Sequence, residues 1–295
     1  MPKKAKSISL VLGSGGARGH AHIGVIRAIE ERGVEIRNIA GTSMGAVIGG
    51  IYAADKLDTY VDWANQLGKN DVVRLLDFSF TWTSIFKGER IIEVLRELIG
   101  DCRIEDLDRG FTAVATSLDD QREIWLTSGP LFRAIRASTA VPGVFAPVEL
   151  NGMVLVDGGL VNPIPIAPTL TDSTDLTIAV NLSGVTEKYR PPAAKHEKAE
   201  STSDKGYREK ISAFISSMMD DEESGETKPD AADLLVKSID VMQGAIARLK
   251  LAAYTPDKVI DVPRDACSFF EFNRAEEMAD LGYAKTTRAL DDLGL

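Results

Sequence analysis

Histidine and cysteine are scarce in this chain, with three and two among 295 residues. The two cysteines, Cys102 and Cys267, are far apart and lack metal-ligand spacing. That excludes a disulfide framework or a zinc module and suits reduced thiols in a cytoplasmic protein. Basic residues are also outnumbered: 34 Lys and Arg face 44 Asp and Glu, for a net charge of −10. Nucleic-acid binders need basic patches to neutralise phosphate, so no nucleic-acid partner is expected. No run approaches the roughly 18 apolar residues of a membrane span. The opening "MPKKAKSISLVLGSGG" has lysines, but its apolar stretch, Ile8 to Leu12, falls short of the about 7 residues a signal-peptide core needs. A soluble cytoplasmic protein follows as the expectation, with any membrane contact local and peripheral.

What is present is an alternation of short apolar runs and helical patterns. "SISLVL" (7–12) reads as a buried strand ended by glycines, and "HAHIGVIRAIEERG" as an amphipathic helix that Gly33 stops. "EIRNIAGTS" and "SMGAVIGGIYAAD" repeat the unit as a second strand and helix. Further along, "ERIIEVLRELIG", "GPLFRAIRAST" and "FNRAEEMADLGYAKTTRALDDLG" read as helices. "FTAVATSL", "REIWLTS", "MVLVDGGL", "LTIAVNLSG" and "DKVIDV" read as strands. The expected fold class is α/β, a three-layer α/β/α sandwich on a mainly parallel sheet in one domain spanning 1–295. Residues 185–232 break the rhythm, being charged and poor in apolar residues, and read as a mobile insertion. Within it, Ile211, Phe214, Ile215, Met218 and Met219 share one helical face, a candidate lid helix near 208–219 as well as an ordinary packing stripe.

Ser43 lies in Gly41-Thr42-Ser43-Met44-Gly45, a G-x-S-x-G pattern between an expected strand and helix. A strand that turns abruptly into a helix needs small residues at Gly41 and Gly45, and it lifts the serine hydroxyl clear. That makes Ser43 a candidate nucleophile, set at a helix N-terminus where negative charge is favoured. A serine needs a base. His196 lies in the charged insertion, and His20 and His22 suit packing or helix-end roles, so a Ser-His-Asp triad is poorly supported. Asp157 ends an apolar strand before Gly158 and Gly159, which would put it on the same carboxyl edge of a parallel sheet as Ser43. The plain alternative is an Asp-Gly turn.

The loop Gly13-Ser14-Gly15-Gly16-Ala17-Arg18-Gly19 follows the first strand. It fails the dinucleotide fingerprint, since Arg18 stands where the third glycine belongs, and it lacks the G-K-[ST] of a phosphate loop. No cofactor and no metal is implied. Its backbone amides still make an anion site, and next to a nucleophilic serine the anion is an oxyanion. Gly15, Gly16 and Ala17 are the candidate donors. Arg18 could support the loop, meet a substrate phosphate, or form a structural salt bridge.

These blocks in this order resemble the patatin-like phospholipases. "LVLGSGGARG" (10–19) is similar to their oxyanion loop, "GTSMG" (41–45) to their nucleophile elbow, and "DGG" (157–159) to the motif of their catalytic aspartate. "RASTAVPGVFAP" (136–147) and "LVNPIP" (160–165) resemble flanking family segments. The resemblance implies a calcium-independent Ser–Asp dyad and acyl-ester hydrolysis: phospholipase A or lysophospholipase activity on a lipid substrate, with transient contact to a membrane or micelle surface. A small-molecule esterase, thioesterase or acyltransferase with the same dyad, and a non-catalytic regulatory protein, remain as alternatives.

Overall fold

A computed structural model describes residues 6–68, 71, 75, 84–186 and 231–295. The chain opens with β1 (Ser7–Leu12), whose six residues are all buried because neighbours cover both its edges and both its faces. A 3-10 turn at Gly16–His20 leads into α1 (Ala21–Glu31). Ile23, Ile26 and Ile29 of α1 face inward, and Gly33 ends the unit with a positive φ of 65°. Then come β2 (Glu35–Thr42), α2 (Met44–Ala53) and α3 (Leu57–Ala64). The middle of the chain holds β3 (Ser84–Phe86), α4 (Glu89–Ile99), β4 (Gly110–Ser117), β5 (Arg122–Leu126), α5 (Leu131–Ser138), β6 (Gly143–Phe145), β7 (Val148–Leu150) and β8 (Met153–Asp157). β9 (Leu176–Gly184), α6 (Ala231–Ala253), β10 (Lys258–Pro263) and α7 (Ala275–Leu293) complete it.

The main sheet runs β10-β9-β1-β2-β4-β8-β7, with β5 also paired to β4. From β10 to β4 every neighbour is parallel, and beyond β4 the strands turn antiparallel. Side-chain alternation along β1 separates the two faces. Ile8, Leu10 and Leu12 join the large core shared with α1, α2 and α7, whereas Val11 faces a smaller cluster with Ala179 and Ala247 of α6. Helices therefore cover both faces of a mainly parallel sheet, the three-layer arrangement the sequence predicts.

Two details differ from the sequence-based expectation. The strand carrying Asp157 is antiparallel to its neighbour β4. The long helix α6 was not among the expected elements, and it takes in residues 231 and 232, which the charged segment had claimed. The candidate lid near 208–219 lies outside the described residues. Among the described residues no helix is long and apolar enough to cross a membrane.

α1 and α7 cross at backbone contact. A Cβ built on Gly24 would fall 1.8 Å from the Ala279 carbonyl oxygen, and one on Gly282 would fall 2.0 Å from that of Ala21. Neither neighbour is a flexible side-chain tip, so the helices must separate to admit a methyl. Gly24→Ala is expected to destabilise the fold by about 1–3 kcal/mol despite its better helix propensity. Thermal unfolding that stays at the wild-type midpoint would show that the crossing can relax freely.

Candidate active site

Ser43 sits between β2 and α2 with φ 56° and ψ −122°, a conformation that side-chain-bearing residues rarely adopt. The flanking glycines explain how the turn closes. A Cβ on Gly41 would lie 2.4 Å from the Gly45 carbonyl oxygen, and one on Gly45 would lie 2.1 Å from that of Leu12. Bonds to neighbouring elements hold the turn: Thr42 Oγ1 donates to the Asn162 carbonyl at 3.0 Å, and the Ser43 N–H donates to Ser138 Oγ at 2.9 Å.

Asp157 reaches Ser43 by a different route from the one the sequence suggests. β8 runs against β4 and stops at Asp157, paired with Ala115, while Thr42 of β2 pairs with Val114 on the other side of β4. The carboxylate thus arrives level with the elbow because an antiparallel strand ends there, rather than at the carboxyl end of a parallel one. The Asp157 side chain has no solvent exposure. Oδ1 accepts the Gly159 N–H at 2.6 Å. Burial pushes its pKa up to about 7, against the opposing pull of the Ser43 hydroxyl and the Gly159 amide. The hydroxyl bears on the carboxylate, yet Oδ2 accepts no hydrogen bond of normal geometry. Such contacts are often long in a free enzyme and tighten when substrate binds.

The glycine-rich loop is anchored through its amides at both ends. Gly13 N–H donates to Val180 O at 3.2 Å, Ser14 N–H to Pro163 O at 2.8 Å, and Ala17 N–H to Phe269 O at 2.9 Å. Ala17 is therefore removed from the three candidate oxyanion donors, because its amide already has a partner more than two hundred positions away. The amides of Gly15 and Gly16 have no hydrogen-bond partner among the described residues, and Gly16 borders the cavity at Ser43. Arg18 is buried, ion-paired to Asp240 of α6, and donates to the Arg264 carbonyl at 3.1 Å. That is the geometry of loop support, not of an open phosphate contact. Ser14 Oγ donates to Gln243 Oε1 at 3.1 Å, so α6 braces the loop at two points, Asp240 and Gln243. Both residues escape sequence reasoning, which did not see their helix. Their spacing of three on one helical face is the signal that could have found them.

Each of the two nearby histidines engages the same loop through one ring nitrogen. A carbonyl can only accept, so His20 Nδ1–H donates to Ala17 O at 3.1 Å, and its Nε2 accepts from Tyr60 Oη at 3.0 Å. His22 Nε2–H donates to Gly13 O at 2.9 Å. Burial drives both pKa values down to about 4, leaving neutral rings committed to holding the loop.

Beside Ser43 lies a cavity of about 120 Å³ walled by Val47, Trp63, Leu95, Phe145 and Phe270. Its lining is almost wholly apolar. A hydrocarbon chain suits it, and a polar headgroup does not.

The model of the patatin-like phospholipase family matches residues 10–170 of the chain. An uncharacterized NTE family protein of Mycobacterium tuberculosis is 39% identical over 328 residues, covering 96% of this chain and 91% of its own length. A neuropathy target esterase of Drosophila persimilis is 36% identical over 166 residues, 54% of this chain and 12% of its own. A lysophospholipase of Emericella nidulans is 34% identical over 186 residues, 61% of this chain and 12% of its own.

The histidines make the fold sensitive to acid. Their folded pKa values, about 4, lie below the ordinary 6.5, so the unfolded chain binds protons first. The stability of neutral rings is present above pH 6.5 and lost as pH falls toward 4. Each ring accounts for roughly 3 kcal/mol across that window. His22→Gln, which keeps a donor for the Gly13 carbonyl, is expected to flatten the fall in unfolding midpoint between pH 6.5 and 4.5. Parallel curves for the two proteins would rule this out.

Proposed function

The chain belongs to the patatin-like phospholipase family, and from that premise we propose that it hydrolyses fatty-acyl esters of phospholipids or lysophospholipids through an acyl-enzyme on Ser43. The observation that carries the reading is the wholly buried Asp157 carboxylate bearing on the serine, with its pKa raised to about 7. An ordinary aspartate, near 3.9, is too weak a base for an alcohol. Desolvation lifts Asp157 to where a general base works best near neutral pH.

In the first step the Asp157 carboxylate takes the hydroxyl proton while Ser43 Oγ bonds to the ester carbonyl carbon. The Gly15 and Gly16 amides face the oxyanion, and the positive end of α2 adds to the same field. The tetrahedral adduct then breaks its bond to the leaving alcohol, which receives the proton from Asp157. Water repeats the sequence on the acyl-serine: Asp157 accepts its proton, the fatty acid departs, and Ser43 regains hydrogen. The apolar cavity supports a fatty-acyl chain over a small polar ester, and the named lysophospholipase relative supports a single-chain lipid. Such a substrate is met at a membrane or micelle surface. The net charge of −10 makes that contact local rather than a general attraction to anionic lipid.

Ser43→Ala is expected to abolish ester hydrolysis and fluorophosphonate labelling while circular dichroism stays native; residual turnover near wild type would sink the scheme. The pH dependence has a definite sign. Because the base must be ionised, kcat/KM should fall about tenfold per pH unit below pH 7. Asp157→Asn should remove activity yet stabilise the fold at pH 8. The folded Asp157 pKa is raised, so its contribution to stability is full below about 3.8 and lost as pH rises through about 7. At pH 8 the charged form therefore costs on the order of 4 kcal/mol, which the amide avoids. A less stable Asp157→Asn at pH 8 contradicts the raised pKa.

A further inference from the structure

Two residues, one at the end of α5 and one just beyond it, each hold the backbone of one proposed catalytic residue. Ser138 is fully buried. Its hydroxyl accepts the Ser43 N–H at 2.9 Å and donates to the Val114 carbonyl at 2.6 Å. Two positions on, the Ala140 carbonyl accepts the Asp157 N–H at 2.9 Å. Between them, Thr139 borders the apolar cavity.

The Val114 carbonyl is where these elements converge. Val114 pairs with Thr42 in the β2–β4 register, one position before the elbow serine. A Cβ on Gly158 would lie 2.1 Å from the same carbonyl oxygen, so the Asp157–Gly158 turn presses against it. The Ser138 hydroxyl thus ties the nucleophile's own amide to the strand that separates nucleophile from base. A hydroxyl has one proton and can accept as well as donate, and both capacities are used here. Ser43 needs such a tie, because a side-chain-bearing residue at φ 56° persists only where its surroundings over-determine it. No other hydrogen bond among the described residues takes the Ser43 N–H.

We propose that Ser138 is a positioning residue: its hydroxyl holds the Ser43 amide on Val114 and so sets the reach between Ser43 Oγ and the Asp157 carboxylate. The proposal rests on the reading of Ser43 and Asp157 as nucleophile and base. Ser138 touches neither substrate nor the reacting atoms. Its effect is therefore on the chemical step and not on substrate binding.

Wild type, Ser43→Ala, Ser138→Ala, Ser138→Cys and Ser138→Thr are compared on a soluble p-nitrophenyl ester, with thermal unfolding recorded for each. Displacement of a reacting group by about 1 Å can cost on the order of 10²-fold, so kcat should fall by about that factor in Ser138→Ala with KM little changed. Ser138→Cys fills the same space with a weak donor and acceptor. It decides the matter should the alanine variant not fold, and it should also show a reduced kcat. Ser138→Thr keeps the hydroxyl and should recover most of the rate. A folded Ser138→Ala or Ser138→Cys with wild-type kcat overturns the proposal. So does a loss confined to KM, or a folded Ser138→Thr as slow as the alanine variant. If Ser43→Ala itself still turns over, the dyad reading has failed. If Ser43→Ala is dead while the Ser138 variants run at the wild-type rate, only the positioning role has failed.

Discussion

Asp157 is held out of water, and among the described residues its carboxylate accepts one hydrogen bond of normal geometry, from the Gly159 amide. No cation contributes to its pKa, so burial dominates. An ionised carboxylate so placed is costly, and the cost is what makes it basic. The surrounding structure serves this constraint. β8 ends level with the elbow, Gly158 slips beneath the Val114 carbonyl, and an apolar cavity adjoins the serine. Any of these changes that admits water returns the acid toward its ordinary strength.

The glycine-rich loop follows a second logic, in which groups that could react are made structural. Both histidines near the serine donate to loop carbonyls, and the amide of Ala17 belongs to Phe269. Arg18 is paired with Asp240 instead of facing solvent. What remains without a partner among the described residues is the pair of amides at Gly15 and Gly16. Preorganisation of this kind lets donors meet developing charge without first breaking bonds of their own.

The sandwich is legible in the sequence because its buried strands are short, apolar and followed at once by glycine turns. The G-x-S-x-G and D-G-G blocks sit at strand ends, where the pattern of small residues marks them. The strand direction of β8 is not legible, since an aspartate ending an apolar run reads the same whichever way its neighbour points. Nor is α6, whose inward positions Val236, Ile239, Gln243 and Ala247 include a polar amide. Its apolar residues Leu234, Val241, Met242 and Leu249 face outward, so hydrophobic periodicity does not single out the buried face. The tie from Ala17 to Phe269 joins positions that no local pattern relates. Ser138 is visible as a residue in a family-like segment, but its two hydrogen bonds depend on how α5 ends against β4.

Three of the anchors of the glycine-rich loop come late in the polypeptide: Asp240, Gln243 and Phe269. A chain emerging from the ribosome would display Ser43 and Asp157 long before those three residues had been synthesised. During that interval the glycine-rich loop lacks three of the partners that fix it. Translation order thus places the completion of this loop's ties near the end of synthesis.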